Sequence, residues 1–190
     1  MKTENKGSRN ELRKTLKADL DRFGSKKPNL KDWLLQNECW FVYRFIKQLR
    51  LVEFYQNKGM IYRPLFFWHF LIFKRLSFKL HITVYPNTVG PGFRIYHVGD
   101  FTHIGRNVKI GKNCTLLPGV VFGNKTEEED DRPVTVGDDC FFGLGARILG
   151  PVHIGNNVTV GANAVVTKDI PDNAIVGGIP AKILKIKNYE

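Results

Sequence analysis

The chain has 190 residues, 43% hydrophobic and 25% charged, which is the size of one domain and the composition of a globular one rather than of a disordered tail. Its net charge of +11 is unevenly spread: residues 1–80 carry 18 positive and 7 negative side chains, and residues 81–190 carry 11 of each. The second half is therefore balanced, which argues against nucleic acid as its partner. Cys39, Cys114 and Cys140 are too few and too scattered for a disulfide framework or a zinc site, so reduced thiols and a cytoplasmic location are expected, with no secretory-signal pattern at the start.

Residues 10–23 and 29–57 read as helices, the second carrying Trp33, Trp40, Phe41, Phe45, Ile46, Leu49 and Phe54 at helical spacing with Arg44, Lys47 and Arg50 among them. Residues 60–80 add a third, more apolar helix. Its apolar run, Pro64 to Phe73, lies between Arg63 and Lys74-Arg75 and is about half the ~20 residues that a membrane span needs. Residues 1–80 are thus expected to form a basic, aromatic α-helical unit that caps whatever follows. Basic residues interleaved with Trp and Phe also suit peripheral contact with an anionic membrane, at the inner face of the plasma membrane.

From Ile104 the chain repeats in steps of six: Ile104, Ile110, Leu116 and Phe122, then Val136, Phe142, Ile148, Ile154, Val160 and Val166, most of them followed by Gly. The fifth place of each unit is Val108, Cys114, Val120, Cys140, Ala146, Val152, Val158, Ala164 or Ile170. A short strand that turns every six residues needs one bulky residue inside, a smaller one beside it, and Gly or Asn where the backbone bends. About three such strands complete one coil, so residues 81–190 are predicted to be a parallel β-helix. Val136 follows Phe122 by two positions more than twice six, and the acidic run Glu127–Asp131 lies between, so about 124–133 is expected to leave the coil as a loop.

Over roughly residues 82–186 the sequence resembles the left-handed β-helix acyltransferases, particularly the serine acetyltransferases and related sugar O-acetyltransferases. Ile95-Tyr-His-Val-Gly99 is similar to the segment that carries that family's catalytic histidine, and Asp169 to Lys182, ending Gly-Gly-Ile-Pro-Ala-Lys, is similar to its terminal segment. The resemblance implies a homotrimer with active sites between subunits, acetyl-CoA as cosubstrate, no metal, and direct transfer without a covalent enzyme intermediate. It makes His97 the general base, a role that imidazole suits because it titrates near neutral pH. The family's orienting Asp has no counterpart in Ile82-Thr-Val-Tyr-Pro86; Thr83, Asp100 or a backbone carbonyl are the candidates. Gly123 is carried over as the oxyanion N–H donor and as part of the coenzyme site, with Gly145, Ala146 and Ala162 lining the pantetheine slot and Lys168 and Lys182 meeting the phosphates. His97 and His103 are six apart and so fall on successive faces, which does not make a metal site.

Tyr96, Asp100 and Arg132 are the expected acceptor contacts. Serine acetyltransferases resemble one another in an acidic residue before the histidine and an Asp-Arg-His-Pro segment in the loop. Here Tyr96 precedes His97 and the loop reads Asp131-Arg-Pro133, so an amino acid's ammonium group lacks its carboxylate. The expectation is therefore a sugar O-acetyltransferase of capsule, exopolysaccharide or surface-glycan synthesis. Serine O-acetylation in cysteine biosynthesis is the alternative, and a catalytically silent scaffold is the reading outside enzymology.

Overall fold

The computed structural model describes residues 8–24, 27–124 and 133–188. Four helices come first: α1 (Arg9–Asp21), α2 (Leu30–Leu34), α3 (Glu38–Gln56) and α4 (Arg63–Leu80), with a 3₁₀ turn at Met60–Tyr62. The helix predicted over 29–57 is in two pieces. Asn29 and Asp32 cap α2 reciprocally, Gln36 takes φ +56°, and the Asn37 N–H bonds the Asp32 carbonyl. These contacts close one helix and start another at Glu38.

α3 and α4 pack through Val42, Phe45, Ile46 and Leu49 on one side and Phe73, Leu76 and Leu80 on the other, with the Phe45 and Phe73 rings stacked at 5.1 Å. His81 ends α4 in the left-handed conformation, φ +56°, and Ile82 begins the coil.

The described residues form five successive coils. The first contains β1 (Ile82–Val84) and β2 (Arg94–Ile95), with Val89 between them, and the second β3 (Thr102–Ile104), β4 (Val108–Ile110), whose Ile110 bridges to Val89, and β5 (Thr115–Leu116). The third has β6 (Val121–Asn124), β7 (Val134–Val136) and β8 (Phe141–Phe142), and the fourth β9 (Arg147–Gly150), β10 (His153–Ile154) and β11 (Thr159–Val160). The fifth has β12 (Val165–Val166) and β13 (Ala174–Gly177), after which β14 (Lys182–Ile186) folds back antiparallel on β13. Three sheets result, in the orders β1-β3-β6-β9-β12, β4-β7-β10 and β2-β5-β8-β11-β13-β14, parallel throughout except for that last pair.

Every first-position and fifth-position residue of the repeat is buried, from Ile104 to Val166 and from Val108 to Ile170. Cys114 and Cys140 are among them and act as small apolar fillers. The corners use the left-handed region: Asn113, Asp139, Asn157 and Asn163 have φ between +54° and +58°, where Asn and Asp are the tolerated non-glycine residues. Gly143 is required for a different reason. A Cβ there would lie 2.6 Å from the Ala162 nitrogen of the next coil.

A buried charge network joins the helices to the first coil. The Arg50 guanidinium, almost without exposure, holds both Asp19 oxygens at 2.9 and 3.3 Å and Glu53 at 3.1 Å. It also donates to the carbonyls of Val89 and Gly90 at 2.7 and 2.6 Å, while Asp19 accepts from the Phe93 N–H at 3.1 Å. Helices α1 and α3 are thereby fastened to one corner of the coil through groups that would be costly to bury unpaired.

Candidate active site

The corner that follows β2 is longer than its counterparts. Ile95 and Ile104 are nine residues apart, whereas Leu116 and Phe122 are six. The Tyr96 N–H still bonds the Leu116 carbonyl at 2.9 Å, and the chain then turns with His97 at φ +61°. A bulky non-glycine residue in that region is uncommon and marks a place to examine for function.

Here His97 Nδ1 lies 3.1 Å from Glu38 Oε2, at the first residue of α3. An ionised carboxylate can only accept, so Nδ1 donates and Nε2 keeps the lone pair. That is the tautomer a general base requires. The side chain that meets His97 Nδ1 is thus Glu38; Thr83 sits in β1 beside His103, and Asp100 stands further along the same edge.

Together they line a cavity of about 640 Å³ between the helices and the coil, with Asp32, Arg94 and Tyr96 also in its wall. Asp32 is held below the usual carboxylate range by the Asn37 side-chain amide and the Asn29 backbone N–H. Cys39, in the same wall, is pushed up by burial and by the Asp32 charge, so it stays a thiol rather than a nucleophilic thiolate. The Arg94 guanidinium stacks on the Tyr96 ring at 3.7 Å and stands 5.1 Å from the Phe23 ring.

The other imidazoles have structural surroundings. His103 is stacked on Phe101 with its pKa lowered by burial, His153 Nδ1 is 2.8 Å from Thr135 Oγ1, and His69 is stacked on Tyr55 and bonded to Gln48. Among the described residues no group of three His, Cys, Asp or Glu is arranged to hold a metal.

The remaining sequence candidates divide between two edges. Asp100, Gly145 and Ala162 follow one another along the edge that carries His97: a Cβ on Gly119 would touch the Asp100 Cβ at 3.3 Å and the Gly145 Cα at 3.4 Å. Gly123 and Lys168 lie on the next edge round, at the ends of β6 and β12, and Lys182 opens β14. One chain does not gather them. Ala146 is placed differently: its side chain points into the coil with no exposure, its N–H bonds the Gly143 carbonyl and its own carbonyl accepts from Val121, so in the single chain it packs the interior. Arg132 lies outside the described residues. Glu38 and Arg94 went unrecognised in the sequence; the three-residue lengthening of the His97 corner was the available signal for the place but not for the partner.

Known proteins resemble this chain in sequence and in fold. The family described as "Hexapeptide repeat of succinyl-transferase" matches residues 102–125 and 133–168. The serine acetyltransferase of Bacillus pumilus is 35% identical over 123 residues, 64% of this chain and 56% of that protein. That of Mycobacterium tuberculosis is 40% identical over 81 residues. The chain thus spans about half the length of the curated relatives it matches. Among solved structures, the serine acetyltransferase of Neisseria gonorrhoeae has a TM-score of 0.76 at 27% identity, covering 97% of this chain and 69% of that one. The same enzyme in complex with serine gives 0.73 at 27%, covering 94% and 71%.

These relatives overturn the sugar acceptor and its polysaccharide pathway, and support the alternative set out beside it. The structure supplies the physical reason. One face of Tyr96 is covered by Arg94 and is not free to stack on a sugar, and the carboxylates missing around His97 in the sequence arrive from α2 and α3. The chain therefore carries hexapeptide repeats over residues 102–125 and 133–168, folds as a left-handed parallel β-helix behind an α-helical N-terminal region, and is similar to the serine acetyltransferases.

Proposed function

We propose that the protein is an acetyl-CoA-dependent serine O-acetyltransferase, on the strength of the His97–Glu38 pair facing a cavity of mixed charge. His97 Nε2 takes the serine hydroxyl proton as that oxygen attacks the thioester carbonyl. Glu38 stabilises the imidazolium that forms. Collapse of the tetrahedral intermediate breaks the C–S bond, and His97 returns the proton to the leaving thiolate. The products are O-acetylserine and CoA.

The His97 ring is 72% exposed in the single chain, too wet for chemistry that benefits from excluded water. A homotrimer answers this by laying a neighbour's edge across it. Gly123 and Lys168 of that edge then face His97, Gly145 and Ala162, with the Gly123 N–H toward the oxyanion and Lys168 and Lys182 toward the coenzyme phosphates. The narrow, side-chain-poor surface at Gly145 and Ala162 suits a pantetheine arm. A thiol-release assay with acetyl-CoA and serine is the test: turnover is expected, and His97→Ala is expected to lower it by about 100- to 10,000-fold. Equal turnover by the variant removes the proposed base, and no thiol release with serine removes the acceptor.

A cytoplasmic protein that touches an anionic membrane is the accompanying reading. Phe67, Trp68, Leu71 and Phe78 are exposed along α4, beside the exposed cations Arg63, Lys74, Arg75 and Lys79. No helix of the described residues is long and apolar enough to cross a membrane, so contact would be along the surface. Full-length protein is expected to float with vesicles containing anionic phospholipid, and the double variant Phe67→Ser, Trp68→Ser to float less. Equal flotation, or none by either, defeats this reading.

A further inference from the structure

The cavity beside His97 carries charged groups that the other described residues leave without an ionic partner of Lys, Arg, Asp or Glu. Arg94 leaves β2 three residues before His97, and its guanidinium is fixed by two aromatic rings, Tyr96 at 3.7 Å and Phe23 at 5.1 Å. No carboxylate pairs with it among the described residues, and its Nε is enclosed without a hydrogen-bond partner. Glu38 gives Oε2 to His97, while its Oε1 is enclosed and has no donor. Asp32, in the same wall, is held in its ionised form by Asn37 and Asn29.

A guanidinium with no carboxylate partner and carboxylate oxygens that no Lys or Arg side chain bonds among the described residues, on the wall of one cavity, are complementary to a small ligand that carries both signs. Stacking on aromatic faces fixes the plane of the guanidinium but leaves its in-plane edge available, and that edge is the one that matches a carboxylate in fork geometry. Surface residues of this kind normally pair with each other. Here the aromatic clamp holds Arg94 apart from Asp32 and Glu38.

We infer that Arg94 is a specificity residue that anchors the carboxylate of an α-amino-acid acceptor, with the ammonium group on the Asp32 and Glu38 side, which brings the hydroxyl to His97. This rests on the serine reading above and adds to it the residue that selects an amino acid over a neutral alcohol. Arg94 does not touch the reacting atoms, so its loss is felt in acceptor binding and discrimination.

The test compares serine with serinamide, which has the same hydroxyl and amine but a neutral amide in place of the carboxylate, in acetyl-CoA-dependent thiol release by the full chain. Wild-type protein is expected to prefer serine by about 10- to 100-fold in kcat/KM, the scale of a hydrogen-bonded charge. Arg94→Gln is expected to lose that factor with serine, chiefly through KM, and to keep the serinamide rate, so that the preference falls to near one. Arg94→Lys, which retains the charge but not the fork, is expected to lie between. Equal slowing of both acceptors by both variants would mark Arg94 as a structural residue and overturn the inference, as would an unchanged preference. Equal use of serine and serinamide by the wild-type protein would overturn it while leaving the serine reading intact. No thiol release with serine would bring down the serine reading and this inference with it.

Discussion

The coil and the helical region build the candidate site by different means. In the coil, position is set by repetition: each residue's neighbours lie one turn away, and the place of His97 follows from where one corner is lengthened. In the helical region, position is set by single long-range contacts, above all Arg50 with Asp19 and the first coil, and it is this region that delivers Glu38 to His97 across 59 residues of sequence. A periodic scaffold can place a base with accuracy but offers few ways to vary its partner. An irregular cap can supply the partner, provided that the joint between the two is firm.

That contrast can be broken first at the joint. Asp19→Ala leaves the Arg50 guanidinium buried without its main partner, and a loss of about 3–5 kcal/mol in unfolding free energy is expected from denaturant titration; a loss under about 1 kcal/mol would mean that the helices are held by apolar packing alone. Corner residues of the coil come next. Asn157→Ala places a Cβ-bearing residue without a compensating side-chain bond at φ +54°, for which about 1–2 kcal/mol is expected. Ile154→Val, deep in the coil, is expected to cost about 0.5–1.5 kcal/mol, a local loss that periodic neighbours share. The Phe67→Ser, Trp68→Ser variant is expected to change stability least, about 0.5 kcal/mol or less per site, because both rings are outside the core. A large loss there would show that α4 is covered in the folded assembly.

Much of the coil was legible in the sequence because its physics is local. Six residues specify a strand and a bend, so the inward residues and the Asn corners could be read without knowing the rest of the chain. Ala146 lies where the repeat puts it, in the interior, whereas its coenzyme role came only from the resemblance. The return of β14 onto β13 was not legible, since its hexad phase has ended and its alternation of Lys and aliphatic residues is common to edge strands and loops alike. Glu38 was hidden for a deeper reason. One carboxylate in the first turn of a helix is the ordinary complement of the helix dipole, and only the break at Gln36 and Asn37, set by local hydrogen bonds, aims that turn at the coil. The sugar acceptor followed from looking for an acidic residue beside the histidine in sequence, when it stands beside it in space.

The central claim is that Glu38, from the helices, and His97, from the coil, act as one unit. The direct measurement is kcat/KM for acetyl transfer to serine by Glu38→Gln, His97→Ala and the double variant. Glu38→Gln is expected to lose about 100-fold, and the double variant to be no slower than His97→Ala, because removing the base leaves its orienting group nothing to do. Losses that multiply in the double variant, or a Glu38→Gln protein as fast as wild type, would contradict the account.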